Sequence, residues 1–200
     1  MPLLSTRANA SARGYGMFGV AAGGGTAYES IASYTIGSGG SLDVTFSSIP
    51  TTYKHLQIRY MLRNSGANVT DGYSTVQFNG DTTNGNYYFG HLLYGTGSGT
   101  PTSTALGTNA IIFTGGGAGN NASANIFGAG VIDILDYRNG NKYPTVRSLG
   151  GVDANGSGAI YLSSGSWYNT SAITSIRFGT AAFGANMMQY SHIALYGIKG

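Results

Sequence analysis

The sequence predicts an all-β fold, an antiparallel β-sandwich of jelly-roll type carried behind an extended N-terminal arm. Only 8% of the 200 residues are charged while 42% are hydrophobic, so the surface must be built from Ser, Thr, Asn, Gly and Tyr. Thirty-four glycines and four prolines interrupt the chain at short intervals, which favours short strands over long helices. From Tyr28 onward, apolar and polar residues alternate in short segments, the pattern of half-buried strands.

The N-terminal arm, residues 1–28, lacks this pattern. Small residues dominate it, and no period of 2 or 3.6 is sustained. Because ordering a backbone costs about 1–2 kcal/mol per residue, we expect the arm to be ordered only against a partner. The alternative is a frayed terminus or linker. The β-sandwich domain is predicted over residues 29–200. The candidate docking residues of the arm are Arg7, Arg13, Tyr15, Met17 and Phe18.

The body begins with three segments of strand pattern. Residues 28–36 and 42–46 alternate on either side of a glycine-rich turn, so we predict that they form a hairpin. The clearest strand follows at 55–63, with one apolar face and one polar, solvent-exposed face. Its predicted core-facing residues are Leu56, Ile58, Tyr60 and Leu62.

Eight further strands complete the prediction. Asn79-Gly80 and Asn139-Gly140 are turn sequences suited to positive φ angles, and the second is predicted to be a hairpin tip. Roughly ten strands at such spacing predict two packed antiparallel sheets. The predicted strands are 76–78, 87–94, 111–113, 127–135, 146–149, 159–163, 172–178 and 190–198.

Charge and composition exclude several classes of partner. The formal charge is +3; Arg7 and Arg13 contribute +2, so the body is nearly neutral and offers no basic patch for nucleic acid. No apolar run approaches the roughly 20 residues of a spanning helix, so we expect no membrane insertion and folding in the cytosol. Without cysteine, neither a disulfide framework nor a thiolate metal site can form.

No catalytic constellation is recognisable, and we predict no enzyme activity, no metal and no cofactor. His55, His91 and His192 are far apart and lack carboxylates at metal-site spacing. Asp133 and Asp136 should point to opposite faces of a strand. The alternative is a calcium ion bound through Asp133, Asp136 or Asp153, although no calcium-loop signature is present. Asp136 is expected to fix the turn or to pair with a nearby cation. The candidates are Arg138, Lys142 and Arg147.

Trp167 and Tyr168 are candidate ligand contacts. They end a Ser- and Gly-rich segment, and aromatic rings on a polar loop can stack against sugars. The competing interpretation, which we favour, buries Trp167 as a plug at one end of the sandwich.

Several short segments together resemble tailed-bacteriophage virion proteins of the tail-fibre or appendage type, and the likeness spans nearly the whole chain. The segments are LSTR at 4–7, ARGYG at 12–16, IPTTYKHLQIR at 49–59, FNGD at 78–81, ILDY at 134–137, SGSW at 164–167 and ALYGIKG at 194–200.

The resemblance implies a non-enzymatic structural protein of the virion, assembled in the bacterial cytoplasm. It also implies a homo-oligomer, expected to be a trimer. The arm would dock onto other virion proteins, and the β domain would be presented to the host surface, where a glycan is one candidate partner. The alternative is a capsid decoration, or cement, protein that stabilises the shell. Copy number separates the two, since a decoration protein would be present in hundreds per particle.

Overall fold

The computed structural model describes residues 27–68, 70, 73–95, 102–104, 108–109 and 112–200. Within them the chain forms thirteen β-strands and one 3₁₀ turn at Ala181–Phe183. The strands are β1 (Tyr28–Thr35), β2 (Asp43–Phe46), β3 (His55–Leu62), β4 (Tyr73–Phe78), β5 (Tyr87–Gly95), β6 (Thr102–Thr104), β7 (Thr108–Asn109), β8 (Ile112–Gly116), β9 (Gly128–Leu135), β10 (Thr145–Asp153), β11 (Gly158–Trp167), β12 (Ile176–Thr180) and β13 (His192–Ile198).

The strands form two antiparallel sheets. The larger has nine strands in the order β1-β13-β3-β9-β10-β11-β5-β6, with β7 also paired to β5. The smaller has four strands in the order β2-β12-β4-β8. The all-β prediction of two antiparallel sheets is therefore confirmed. No helix among the described residues has the length and apolar character needed to cross a membrane.

The core lies between the two sheets. Leu56, Ile58 and Leu62 of β3 are fully buried and Tyr60 is 5% exposed, so the predicted facing of this strand is confirmed. The Tyr60 ring lies 5.5 Å from that of Phe178 on β12, across the sandwich. One continuous apolar cluster thus joins both sheets.

The predicted first hairpin is wrong. β1 pairs with β13 and β2 pairs with β12, so the two segments lie in different sheets. The glycine-rich turn between them carries the chain from one sheet to the other. Alternation places a residue on a face, but it does not specify which strand lies alongside.

The turn predicted at Asn79-Gly80 is confirmed. Asn79 and Gly80 have φ angles of 51° and 67°. The hairpin predicted around Asn139-Gly140 is confirmed, since β9 and β10 are antiparallel neighbours. The positive φ expected at Asn139-Gly140 is wrong, because the positive φ in that connection, 55°, belongs to Asp136. The chain from Ser163 to Trp167, expected to be mostly loop, instead continues β11.

Candidate functional site

Three exposed tyrosines form an aromatic cluster at the end of the larger sheet where β5 and β10 begin and β11 ends. Tyr88, Tyr143 and Tyr168 are 38%, 49% and 40% exposed, and we call them the tyrosine platform. The rings of Tyr88 and Tyr168 are stacked, with centroids 6.1 Å apart and planes 12° from parallel. The Tyr143 ring lies 5.3 Å from that of Tyr168. The platform thus leaves part of each of three aromatic side chains exposed to solvent.

Two aromatic doublets position the platform. In Tyr87-Tyr88 and in Trp167-Tyr168, the first ring is buried and the second is exposed, as expected for successive residues that point to opposite sides. The buried pair, Tyr87 and Trp167, stacks at 6.4 Å beneath the exposed one. The Tyr168 backbone N–H donates to the Asn86 carbonyl oxygen at 2.7 Å. The exposed rings are therefore supported by core packing.

Trp167 is a core side chain. It is 1% exposed, lies 5.8 Å from the Phe78 ring, and its Nε1–H donates to Asp81 Oδ2 at 2.8 Å. This agrees with its interpretation as a plug, and its indole has no exposed face to offer a ligand. Burial alone would raise the pKa of the Asp81 carboxyl, but hydrogen bonds from Trp167, Thr83 and Asn86 outweigh it and lower that pKa to about 2.

A second exposed feature is an apolar band on the outer face of the larger sheet. It consists of Met61, Val131, Leu149, Ile160 and Leu162. Leu149 lies opposite both Leu162 and Val131 in the strand register. Met61, Leu149, Ile160 and Leu162 are 43%, 53%, 66% and 44% exposed. Grouped exposure of large apolar side chains on a sheet face is typical of an interaction surface.

The end of the sandwich near the β9–β10 connection gathers charged side chains. A cavity of about 250 Å³ is lined by Lys54, Asp136, Arg138 and Asn139. Asp136 forms an ion pair with Lys142, one of the predicted cations, and the hydrogen bond from this lysine holds the pKa of the carboxyl below its usual range. The predicted structural role of Asp136 is confirmed.

The described acids and histidines do not converge on one point. Asp133 accepts from Gln57 Nε2 at 2.7 Å and lies 3.3 Å from the Arg147 guanidinium. His55 Nδ1 accepts from the Asp136 backbone N–H at 2.9 Å. His192 is hydrogen-bonded to the hydroxyl of Thr35. Among the described residues, no group of three or more His, Asp or Glu side chains could hold a metal ion.

The predicted docking residues Arg7, Arg13, Tyr15, Met17 and Phe18 all lie outside the described residues. Of the two predicted ligand contacts, Tyr168 is exposed and Trp167 is buried. Sequence reasoning missed Tyr88 and Tyr143, which join Tyr168 only through tertiary folding. The available signal was two adjacent aromatic pairs, Tyr87-Tyr88 in a predicted strand and Trp167-Tyr168 beyond the end of one, because such a pair on a strand places one ring in the core and one on the surface.

Comparison with known proteins adds no family assignment. The chain matches no family model, no curated protein and no solved structure.

Proposed function

We propose that this chain is a non-enzymatic structural protein of a tailed-bacteriophage particle, a tail-fibre or appendage subunit that assembles with copies of itself. In this proposal, the arm of residues 1–28 docks onto other virion proteins and the β-sandwich is presented to the host surface. The segments that resemble virion proteins support the class of protein. The observation that carries the self-assembly is the apolar band.

The band suits a second copy of this chain. Its strongly exposed members, Leu149, Ile160 and Leu162, lie on neighbouring strands of a regular sheet, where a different surface of an adjacent copy can pack and so close a ring of three. Two arginines border the band: Arg147 pairs with Asp133, and Arg59, opposite Val131, donates to Gln57 Oε1 and lies over the Tyr28 and Tyr196 rings. An adjacent copy that packs on the band would bury apolar area, worth about 25 cal/mol per Å², with Arg59 left at the solvated rim.

The strand order supports the jelly-roll part of the proposal. Strands β1, β13, β3 and β9 are successive in the larger sheet, and β2, β12, β4 and β8 form the smaller one. The chain therefore alternates between sheets from β1 to β4, as paired Greek keys require. β5 to β7 and β10 to β11 widen the larger sheet as insertions. We infer that the added strands, which carry Leu149, Ile160 and Leu162, equip a jelly roll for assembly.

Sedimentation of the full-length protein tests the assembly. We expect the wild type to sediment as a trimer at micromolar concentration and Leu162→Asp to shift toward the monomer. The control is Leu42→Asp, since Leu42 is a comparably exposed leucine (42%) outside the band. It should leave the trimer intact. A wild type that stays monomeric, or equal dissociation of both variants, would contradict the proposal.

A further inference from the structure

The tyrosine platform carries an inference that rests on the proposed function and names its ligand. We propose that Tyr88, Tyr143 and Tyr168 form a binding site for a neutral oligosaccharide. The sugar would stack its C–H face on the rings, while its hydroxyl groups exchange hydrogen bonds with the phenols and with neighbouring polar groups. Stacking of this kind needs flat, exposed and immobile aromatic faces.

The platform is prepared for such a ligand before binding. Tyr88 belongs to β5, Tyr168 directly follows β11, and these strands are paired, with Trp167 opposite Tyr87. The Trp167 backbone N–H donates to the Pro144 carbonyl oxygen at 3.4 Å, which links the segment carrying Tyr143 to β11. The backbone segments that carry the three rings are thus held together by strand pairing and a hydrogen bond. A preorganised site loses little entropy when it binds.

Local charge favours a neutral ligand. The charged side chain next to the platform in sequence, Lys142, is paired with Asp136. The neighbouring Asn141 and Thr170 are exposed and uncharged. Single-stranded nucleic acid also stacks on aromatic rings, but it needs a positively charged groove along its backbone. Neutral sugar hydroxyls suit an amide- and hydroxyl-rich rim better.

The platform is suited to binding rather than cleavage. Sugar hydrolysis requires two carboxyl groups flanking the scissile bond. Asp81, held under the platform by Trp167, already accepts hydrogen bonds from Thr83 and Asn86. The Asp81 carboxylate therefore helps to hold the buried Trp167 ring in place. We expect the bound saccharide to be released unchanged.

The test is calorimetric titration of full-length protein with neutral glucose, galactose and N-acetylglucosamine oligosaccharides of four to eight units. A single-stranded oligonucleotide and a proline-rich peptide serve as competing ligand classes. At least one oligosaccharide should bind. Tyr168→Ala should weaken that binding at least tenfold, and Tyr168→Phe much less. The control is Tyr190→Ala, since Tyr190 is 61% exposed and outside the platform, and it should bind like the wild type.

Three results would overturn the inference: no binding to any oligosaccharide, equal loss in Tyr168→Ala and Tyr190→Ala, or binding only to the oligonucleotide or the peptide. Sedimentation distinguishes failure of the saccharide-binding inference from failure of the proposed self-assembly. If Tyr168→Ala dissociates the oligomer, the platform is a subunit interface; the inference then fails while the structural role survives. A wild type that is monomeric yet binds sugar through Tyr168 would contradict self-assembly alone.

Discussion

Tyr60 occupies a space in the core that exists because three surrounding residues are glycines. A Cβ added at Gly115, Gly130 or Gly150 would lie 2.5, 2.3 or 2.6 Å from the Tyr60 hydroxyl oxygen. At Gly130 it would also lie 2.4 Å from the ring carbon Cζ. Glycine inside a strand often marks a place where another group approaches closely. We predict that Gly130→Ala is strongly destabilising.

The magnitude follows from the overlap. Ordinary van der Waals contact of a Cβ begins near 3.4 Å, so the methyl group would be too close to Cζ by about 1 Å. The ring is confined by Phe178 on the opposite sheet and by the backbone of Gly115 and Gly150. Since overpacking a core costs typically 1–3 kcal/mol, we expect Gly130→Ala to lower the free energy of unfolding by about 3 kcal/mol.

Urea unfolding followed by the fluorescence of the single buried tryptophan measures this loss. Tyr60→Ala alone should cost about 3–5 kcal/mol through the cavity it leaves. In that background Gly130→Ala should cost nothing further, because the clashing ring is gone. Tyr60→Phe should not rescue Gly130→Ala, because Cζ remains. As a control, Gly39→Ala should be neutral, since nothing lies within 4 Å of its added Cβ.

Additive costs for Tyr60→Ala and Gly130→Ala, or a Gly130→Ala protein as stable as the wild type, would refute this account of the packing. Tyr60→Phe alone probes the hydroxyl. This group is buried and has no hydrogen-bond partner of normal geometry among the described residues; burial raises the pKa of Tyr60 to about 12, and an interaction with Ser74 offsets only part of this rise. Removing it should be neutral or stabilising, since no bond is lost and a desolvated polar group is removed.

Three further perturbations test other parts of the structure. Asp81 has a pKa below its usual value, so the stability that its ionised carboxylate contributes is complete above about pH 4 and is lost as the pH falls toward 2. Asp81→Asn should therefore lower the free energy of unfolding by about 1 kcal/mol at pH 7. In thermal melts at a series of pH values, the melting temperature of this variant should fall less steeply than that of the wild type between about pH 4 and pH 2. Arg63 is 9% exposed, and its guanidinium donates to the carbonyl oxygens of four residues in the 120–126 segment. Arg63→Met should therefore lower the free energy of unfolding in urea by about 2–4 kcal/mol. It should also speed amide hydrogen exchange in residues 120–126. Deleting residues 1–25 should leave a folded β domain by circular dichroism, whereas an unfolded product would place the arm in the core.

Local patterning accounts for what the sequence predicted well. Leu56, Ile58 and Leu62 alternate along a single strand, so their common facing depends only on the period of two. The turn at Asn79-Gly80 follows from the tolerance of these residues for positive φ. Such properties depend on neighbours in sequence.

Strand pairing and the candidate site depend on contacts distant in sequence. Tyr28 pairs with Ile198, and Ile176 pairs with Phe46, and no local signal selects these partners. The tyrosine platform likewise joins residues 88, 143 and 168, which only the sheet order brings together. The buried state of Trp167 depends on its stacking with Tyr87 and its hydrogen bond to Asp81, both from distant segments.

The most direct test of the proposed structural role is to look for this chain on the particles of a tailed phage that encodes it. Immunogold electron microscopy of purified particles, with quantitative mass spectrometry of the same preparation, gives both position and copy number. We predict label on the tail and a few dozen copies per particle. Hundreds of copies on the capsid would replace the appendage role with shell decoration, and absence from purified particles of a chain abundant in the lysate would contradict the structural role altogether.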